Sequence, residues 1–268
     1  MRFLVAQTAG SDVPAVNIAA LEDAAVRAGT EKADLLVLPE YASGFDPAGV
    51  GSAQAQLLDG PYVTRMRELS RRHAVWIAAG VATCPDLVGA ADGARPRNTI
   101  VVTDPAGTIA GTYDKVHLYD AFGARESDRL TAGDPAATPT VISIADVRVG
   151  IITCYDLRFP ESARRVIDAG GEIVLVPAAW ASGPGKLSHW ETLARARAIE
   201  NVAVVAAVGL AGQAVTGNSL VVAPDGEVRA RLGDEPGFLA YSVAADEIRA
   251  ARLRNPSLAA RKYRVEPL

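Results

Sequence analysis

The sequence predicts an α/β protein built on a mixed β-sheet or on a pair of sheets. Short apolar runs rich in Val and Ile alternate with longer amphipathic stretches throughout the 268 residues, which is the pattern of strands alternating with helices. The second half of the chain repeats the pattern of the first. Segments 104–107 and 224–226 both contain Asp, Pro and Gly, and this turn chemistry predicts hairpins between antiparallel strands.

In the first half, each element follows from its own residue pattern. Residues 2–7 and 35–39 are short apolar runs that predict strands, and residues 13–28 between them predict a helix. The pattern continues with a helix at 61–72, a strand at 75–81, and hairpin strands at 98–103 and 108–113.

The second half starts with strands at 147–153 and 173–177, with a helix near 160–169 between them. Residues 187–200 predict a helix because Leu187, Trp190, Leu193 and Ala194 recur at helical spacing. The continuous apolar run 202–208 predicts a strand buried on both faces. Residues 220–223 and 228–232 flank the second hairpin turn.

Bulk properties limit the classes of function. Hydrophobic residues make up 49% of the chain, and without low-complexity blocks or linkers we expect one domain over 1–268. The formal net charge is −4, so neither nucleic acid nor a membrane surface is an expected partner. The N-terminus lacks the apolar core of a signal peptide and the chain has two cysteines, Cys84 and Cys154, so a reduced, cytoplasmic setting is predicted.

Three polar residues follow predicted strands and are candidates for chemistry. Cys154 ends a strand just before a helix, where the helix potential favours a thiolate. Glu40 ends the run 35–39 and is able to act as a general base, and Lys115 follows the strand 108–113 and is able to stabilise an oxyanion. Each also has a plain structural interpretation, as a buried thiol, a surface carboxylate and a solvated lysine. Only the three together supply nucleophile, base and electrophile at strand ends.

This arrangement resembles the nitrilase (carbon–nitrogen hydrolase) superfamily, whose members use a Glu–Lys–Cys triad in that chain order. The matching segments are Leu-Pro-Glu ending at Glu40, Tyr-Asp-Lys-Val-His-Leu around Lys115, and Cys-Tyr-Asp-Leu-Arg-Phe-Pro-Glu from Cys154. Further matches are the segments 194–201, 217–219 and 224–226, so the resemblance spans essentially the whole chain. The Cys-Tyr-Asp-x-Arg-Phe form is most similar to the branch that holds ω-amidase and deaminated glutathione amidase.

The resemblance implies a four-layer αββα sandwich and cysteine-dependent hydrolysis of a small linear amide through a thioester. It also implies a homodimer, no metal or organic cofactor, and a second glutamate near the triad, matched by Glu126, that orients Lys115 or the substrate amide. Arg158 is matched to a residue that holds a substrate carboxylate, with pairing to Asp156 or Glu161 on the protein as the alternative. Tyr155 and Trp180 are candidates for the pocket lining, with core packing as the alternative.

Several other interpretations remain open on the sequence. His73, His117 and His189 offer partners for a papain-like dyad with Cys154, but nothing local selects one of them. Segment 183–186 reads Gly-Pro-Gly-Lys and lacks the spacing of a phosphate loop, so it predicts a turn leading into a helix. The same catalytic groups would also serve N-carbamoyl amine or nitrile hydrolysis, and a non-catalytic binding scaffold is the alternative outside enzymology.

Overall fold

Two six-stranded mixed sheets form the centre of the computed structural model, which describes residues 1–84 and 95–268. The first sheet contains β1 (Arg2–Gln7), β2 (Leu35–Val37), β3 (Trp76–Thr83), β4 (Arg97–Thr103), β5 (Ile109–Asp114) and β12 (Gly237–Ser242). The second contains β6 (Val141–Ile144), β7 (Val147–Ile151), β8 (Ile173–Ala178), β9 (Val204–Gly209), β10 (Leu220–Val222) and β11 (Val228–Arg231). Their strand orders are β12-β1-β2-β3-β4-β5 and β11-β10-β9-β8-β7-β6.

Most of the helices connect parallel strands that are consecutive in the chain. They are α1 (Pro14–Thr30), α2 (Pro61–His73), α3 (Pro160–Asp168), α4 (Lys186–Asn201), α5 (Ala245–Arg254) and α6 (Ser257–Ala260). β1, β2 and β3 run parallel with α1 and α2 as crossovers, and β7, β8 and β9 run parallel with α3 and α4 as crossovers. Parallel neighbours need such crossovers, so each sheet has a parallel centre and antiparallel edges.

Side-chain alternation along the strands separates three apolar layers. In β1, Phe3 and Val5 face the core between the sheets, whereas Leu4 and Ala6 pack with residues of α1 and α2. The second sheet repeats this, because alternate residues of β8 face the inter-sheet core and the layer of α3 and α4. Successive residues of a strand point to opposite faces of the sheet, and here both faces are covered by apolar layers. These strands are therefore continuously apolar. The predicted four-layer αββα sandwich is therefore confirmed.

The elements predicted from sequence are found, with bounds shifted by one to two residues at most ends. The pattern did not predict β6, β12, α5 or α6. β12 is needed for the layer arrangement, because it pairs antiparallel with β1 and closes the first sheet on that side. Among the described helices, none combines the length and the apolar character needed to cross a membrane.

Candidate active site

Glu40 lies in a tight turn just beyond β2. The turn presses against β3 so closely that a Cβ on Gly80 would come within 2.4 Å of the backbone N of Tyr41, so only glycine fits there. The Glu40 side chain is 1% exposed. Its Oε1 accepts from Asn98 Nδ2 at 2.6 Å and its Oε2 accepts from Ala179 N at 2.6 Å. These two bonds fix the plane of the carboxylate.

Lys115 directly follows β5, and β2 and β5 point in the same direction within the first sheet. The two strand ends therefore present Glu40 and Lys115 at one edge. Lys115 Nζ donates to Glu40 Oε1 at 2.9 Å and to Glu126 Oε2 at 2.9 Å. Burial alone would lower the pKa of Lys115, but the carboxylates of Glu126 and Glu40 raise it well above its ordinary value. The ammonium is thus charged at neutral pH.

Glu126 begins a short 3₁₀ helix, Glu126–Asp128, in the loop after Lys115. It accepts hydrogen bonds from Lys115, from the hydroxyl of Tyr41, and from the N–H of Tyr119 at 2.6 Å. Burial works against ionisation, but Lys115 and these donors lower the pKa of Glu126 below its ordinary value. Glu126 therefore contacts Lys115 directly. This contact fits one of the two roles that the resemblance implies, the orientation of Lys115.

Cys154 follows β7 of the second sheet and starts the 3₁₀ helix Cys154–Arg158. Its backbone φ is +47°, a left-handed conformation that is uncommon for a residue with a Cβ and often marks a functional site. Burial and the carboxylate of Glu40 raise the pKa of the Cys154 thiol well above its ordinary value. Burial and Glu40 therefore outweigh the effect expected from the helix start, and the thiol form is favoured.

Asp156 anchors the turn that carries Cys154. Its buried carboxylate accepts from Thr153 N at 3.1 Å, from Tyr113 Oη at 2.7 Å, and from both the backbone N and Nδ1 of His117, at 3.1 and 2.8 Å. Tyr113 belongs to β5, the strand that leads into Lys115. One carboxylate therefore ties the nucleophile's turn in the second sheet to the lysine's strand in the first.

A cavity of about 530 Å³ opens over these residues. All seven site residues proposed from sequence line it: Glu40, Lys115, Glu126, Cys154, Tyr155, Arg158 and Trp180. The structure therefore brings together groups that are up to 140 positions apart in the sequence. This volume falls within the usual range for small-molecule sites, roughly 300–1,000 Å³.

Arg158 lies along an aromatic wall of the cavity. Its Cζ is 4.9 Å from the ring centre of Trp180, and Tyr155 lies beside it at 5.9 Å. Within the part of the chain that the structure describes, Arg158 forms no ion pair with Asp156 or Glu161, and its one polar contact is from Nη2 to His189 Nδ1 at 3.3 Å. Its charge is therefore not neutralised by the carboxylates weighed as partners.

The three histidines lie outside the cavity lining. His117 stacks on Phe159 with ring centres 3.7 Å apart and bonds to Asp156, and His189 lies on α4 beside Arg158. His73 is at the end of α2, away from the cavity lining. None of the three lines the cavity, which removes the papain-like alternative. Within residues 1–84 and 95–268, no three His, Cys, Asp or Glu side chains group as a metal site would need.

Several residues that line the cavity or hold its carboxylates were not found from the sequence. Tyr41 and Asn98 hold the carboxylates, Tyr119 holds Glu126, and Lys186 lies in the cavity wall. Segment 183–186 does form the predicted turn, and α4 begins at Lys186. Nothing in that local pattern shows that the lysine turns inward. Only the chain position of Tyr41, directly after Glu40, was a usable signal.

The model of the carbon–nitrogen hydrolase family matches residues 6–253, which contain every residue of this site. The chain belongs to the carbon–nitrogen hydrolase family. A relative described as a hydrolase, Rv0480c of Mycobacterium tuberculosis, is 36% identical over 95% of this chain and 93% of its own length. The deaminated glutathione amidase of Escherichia coli O157:H7 is 35% identical over 88% of each chain. The 2-oxoglutaramate amidase of Paenarthrobacter nicotinovorans is 33% identical over 86% of this chain and 79% of its own.

Solved structures of this carbon–nitrogen hydrolase family show the same fold. The amidase of Nesterenkonia sp. AN1, solved with butyramide in a variant lacking the cysteine, has a TM-score of 0.77 and 29% identity over 97% of this chain and 96% of that one. Another structure of that amidase carries acrylamide joined to the active-site cysteine by Michael addition. That protein is therefore a cysteine-dependent amidase with the fold described here.

Proposed function

We propose that the protein is an amidase that hydrolyses a small linear amide through Cys154, Glu40 and Lys115. The observation that carries the proposal is the convergence of a buried thiol, a fixed carboxylate and a charged ammonium on one cavity. The relatives named as amidases support the reaction class. A binding scaffold would have no use for a lysine buried between two carboxylates, because such burial is costly.

In the first half-reaction, Glu40 takes the proton of the Cys154 thiol as the sulfur attacks the amide carbonyl. The raised pKa of Cys154 fits proton removal during attack rather than a preformed thiolate. Lys115 and the N–H of Tyr155, the first amide after the nucleophile, stabilise the oxyanion. Glu40 then gives its proton to the leaving nitrogen, the C–N bond breaks, and ammonia and a thioester result.

In the second half-reaction, Glu40 removes a proton from a water molecule that attacks the thioester carbonyl. The same donors stabilise the second oxyanion, and the C–S bond breaks to release the carboxylic acid. The sulfur regains its proton from Glu40, so the enzyme returns to its starting state. Glu126 does not meet the reacting atoms in this scheme and acts by holding Lys115.

The cavity wall supports a substrate with a free carboxylate at the end remote from the amide. Arg158, lying between Tyr155 and Trp180, provides a guanidinium with no carboxylate partner in the described chain, and arginine binds carboxylates through paired hydrogen bonds. 2-Oxoglutaramate, for which one relative is named, has an amide at one end and a free carboxylate at the other. We assign substrate binding to Tyr155, Arg158 and Trp180.

We further propose a homodimer in a reducing, cytoplasmic setting. The resemblance implies dimers that pack through helices near the nucleophile and near the chain's C-terminus. Apolar residues are exposed on α4 and α5, including Ile199 at 47% and Leu253 at 83%. Symmetric pairs are the commonest assembly. A reducing compartment keeps the Cys154 sulfur available as a nucleophile.

Release of ammonia from a substrate panel tests the proposed activity. The panel contains linear amides, nitriles and N-carbamoyl amines, each assayed before and after exhaustive treatment with EDTA. We expect the highest kcat/KM for amides and no loss on chelation, because no step uses a metal. A preference for nitriles or N-carbamoyl amines would replace the amidase assignment by those activities. Loss on chelation that one added metal restores would contradict the mechanism.

A further inference from the structure

The chain has only four lysines, Lys32, Lys115, Lys186 and Lys262. Lys32 and Lys262 are exposed, whereas Lys115 and Lys186 are buried and both line the cavity. The two buried lysines have opposite surroundings. Lys115 is held between two carboxylates, but no carboxylate in the described part of the chain pairs with Lys186. A buried ammonium without a counter-ion is costly, so the placement of Lys186 requires a reason.

The surroundings of Lys186 hold its ammonium at the cavity wall without neutralising it. Nζ donates to the hydroxyl of Tyr119 at 2.7 Å and lies 3.4 Å from the ring centre of Phe122. An ammonium has three hydrogens to donate, and the tyrosine accepts one of them. The aromatic contact stabilises the charge only in part. Donor capacity and positive charge are therefore left for a group inside the cavity.

Arg158 also lines the cavity and approaches the same phenyl ring, which is itself exposed. Its Cζ is 5.7 Å from the ring centre of Phe122, the ring that also contacts Lys186. Two cations thus flank one phenyl ring, and neither has a carboxylate partner among the residues that the structure describes. Like charges on either side of one ring repel each other. A bound anion lying between the two cations would offset that repulsion.

Tyr119 connects this wall to the catalytic groups. Its hydroxyl accepts from Lys186, and its backbone N–H donates to Glu126 Oε2 at 2.6 Å. Glu126 in turn holds Lys115. The residue that holds Lys186 Nζ therefore also positions Glu126.

We propose that Lys186, together with Arg158, binds the carboxylate end of the substrate and determines the preference for anionic over neutral amides. This proposal rests on the amidase function proposed above and adds the residue that selects the substrate class. Amides with a terminal carboxylate, such as dicarboxylic acid monoamides, fit it. The competing explanation is that Lys186 only fastens the start of α4 to the Tyr119 loop.

Two matched substrate pairs separate these explanations. Succinamate and butyramide have the same chain length, as do glutaramate and valeramide, and each pair differs in one carboxylate. The readout is the ratio of kcat/KM for the carboxylate member to that for the neutral member. The variants are Lys186→Met, which keeps length without charge, and Lys186→Arg, which keeps charge. Lys262→Met is the matched control at an exposed lysine.

We expect wild type to prefer the carboxylate member of at least one pair, and Lys186→Met to lower that ratio about 10- to 100-fold, the usual effect of losing a charged hydrogen bond. Lys186→Arg should retain most of the ratio, and Lys262→Met all of it. If Lys186→Met fails to fold, Tyr119→Phe removes the hydroxyl that holds Nζ and should lower the ratio in the same direction.

A ratio in Lys186→Met equal to that of wild type, with both substrates slowed alike, would show a structural lysine and overturn the proposal. So would a wild-type enzyme that hydrolyses charged and neutral amides equally well, although the amidase function would then stand. Absence of ammonia release from all four amides would instead remove the function on which the proposal rests.

Discussion

At the residue scale, the charges of the site favour the ammonium form of Lys115 and the thiol form of Cys154. The buried ammonium of Lys115 has two carboxylate partners, which raise its pKa and keep it charged. Burial and Glu40 raise the pKa of Cys154, so the proton to be moved lies on sulfur beside its acceptor. The proposed mechanism therefore needs no thiolate at rest, because in it the proton transfer to Glu40 accompanies bond formation.

Glu126→Gln tests whether Glu126 acts through Lys115. The amide keeps the shape but removes a negative charge that raises the pKa of Cys154 and of Lys115. We expect kcat to fall by about 10- to 100-fold, as for loss of a charged hydrogen bond. The pH midpoint for alkylation of Cys154, followed by mass spectrometry, should move to lower pH. A merely structural role would leave that midpoint where it is in wild type, and such a result would refute positioning.

The catalytic residues that follow predicted strands were found from the sequence, whereas Tyr119 in a loop and Lys186 at a helix start were not. Glu40, Lys115 and Cys154 each follow a predicted strand. Strand direction places Glu40 and Lys115 at one edge of the first sheet, and Cys154 follows β7 of the second sheet. Tyr119 and Lys186 matter only because the loop after Lys115 folds back over α4's first residue. No periodicity encodes such a contact, and therefore only the structure reveals it.

At the element scale, the turn at Cys154 depends on Asp156. This carboxylate accepts four hydrogen bonds, from Thr153, Tyr113 and twice from His117. Because the donors come from both sheets, the contact sets how the nucleophile lies against Lys115. The capping bond to Thr153 also fixes the backbone just before the left-handed Cys154.

Asp156→Asn should therefore damage both stability and catalysis. An amide accepts through one oxygen only, so a buried donor loses its partner, at a cost of about 1–3 kcal/mol. For a chain of this size that is a fall in Tm of roughly 2–10 °C, and kcat should fall as well because the turn loosens. Calorimetry and ammonia release measure the two effects. Asp59→Asn, at an exposed aspartate, is the control, and equal behaviour of the two variants would rule out this role.

The elements that sequence patterns predicted are those with a buried face, and the missed ones are edge or surface elements. β12 has one buried residue, Leu239, and α5 buries only Ala245 and Ile248. An element that is mostly exposed has no continuous apolar stripe to detect. The pairing of β12 with β1, between residues 230 to 240 positions apart, also lies beyond any local pattern.

At the scale of the whole molecule, the sheets share one apolar interior. Phe3 and Val5 of the first sheet and Ile173 and Leu175 of the second belong to the same cluster. We propose that residues 1–268 fold as one domain, because neither sheet can bury its inner face without the other. Periodicity predicted two sets of strands, but the face-to-face layering came only from the resemblance, since alternation does not say which sheet covers which.

The proposed dimer has a matched test. Light scattering at micromolar concentration should give twice the chain mass of 27.9 kDa. Ile199→Asp, on the exposed side of α4, should shift the mass toward the monomer, because it places a charge in an apolar interface. Val16→Asp on α1 changes a residue of similar exposure, 52% against 47%, and should leave the mass unchanged. A monomer mass for the wild type would contradict the assembly.

The central claim is that Cys154 forms and breaks the bond to the substrate carbon. Ammonia release by Cys154→Ala, measured beside Cys84→Ala with circular dichroism to verify folding, tests it most directly. We predict that Cys154→Ala keeps the fold and loses kcat by a factor of at least about 10³, since no other group supplies the nucleophile. Cys84→Ala should stay active, because Cys84 does not line the cavity. A folded Cys154→Ala variant that releases ammonia at a rate near that of wild type would show that Cys154 is not the nucleophile.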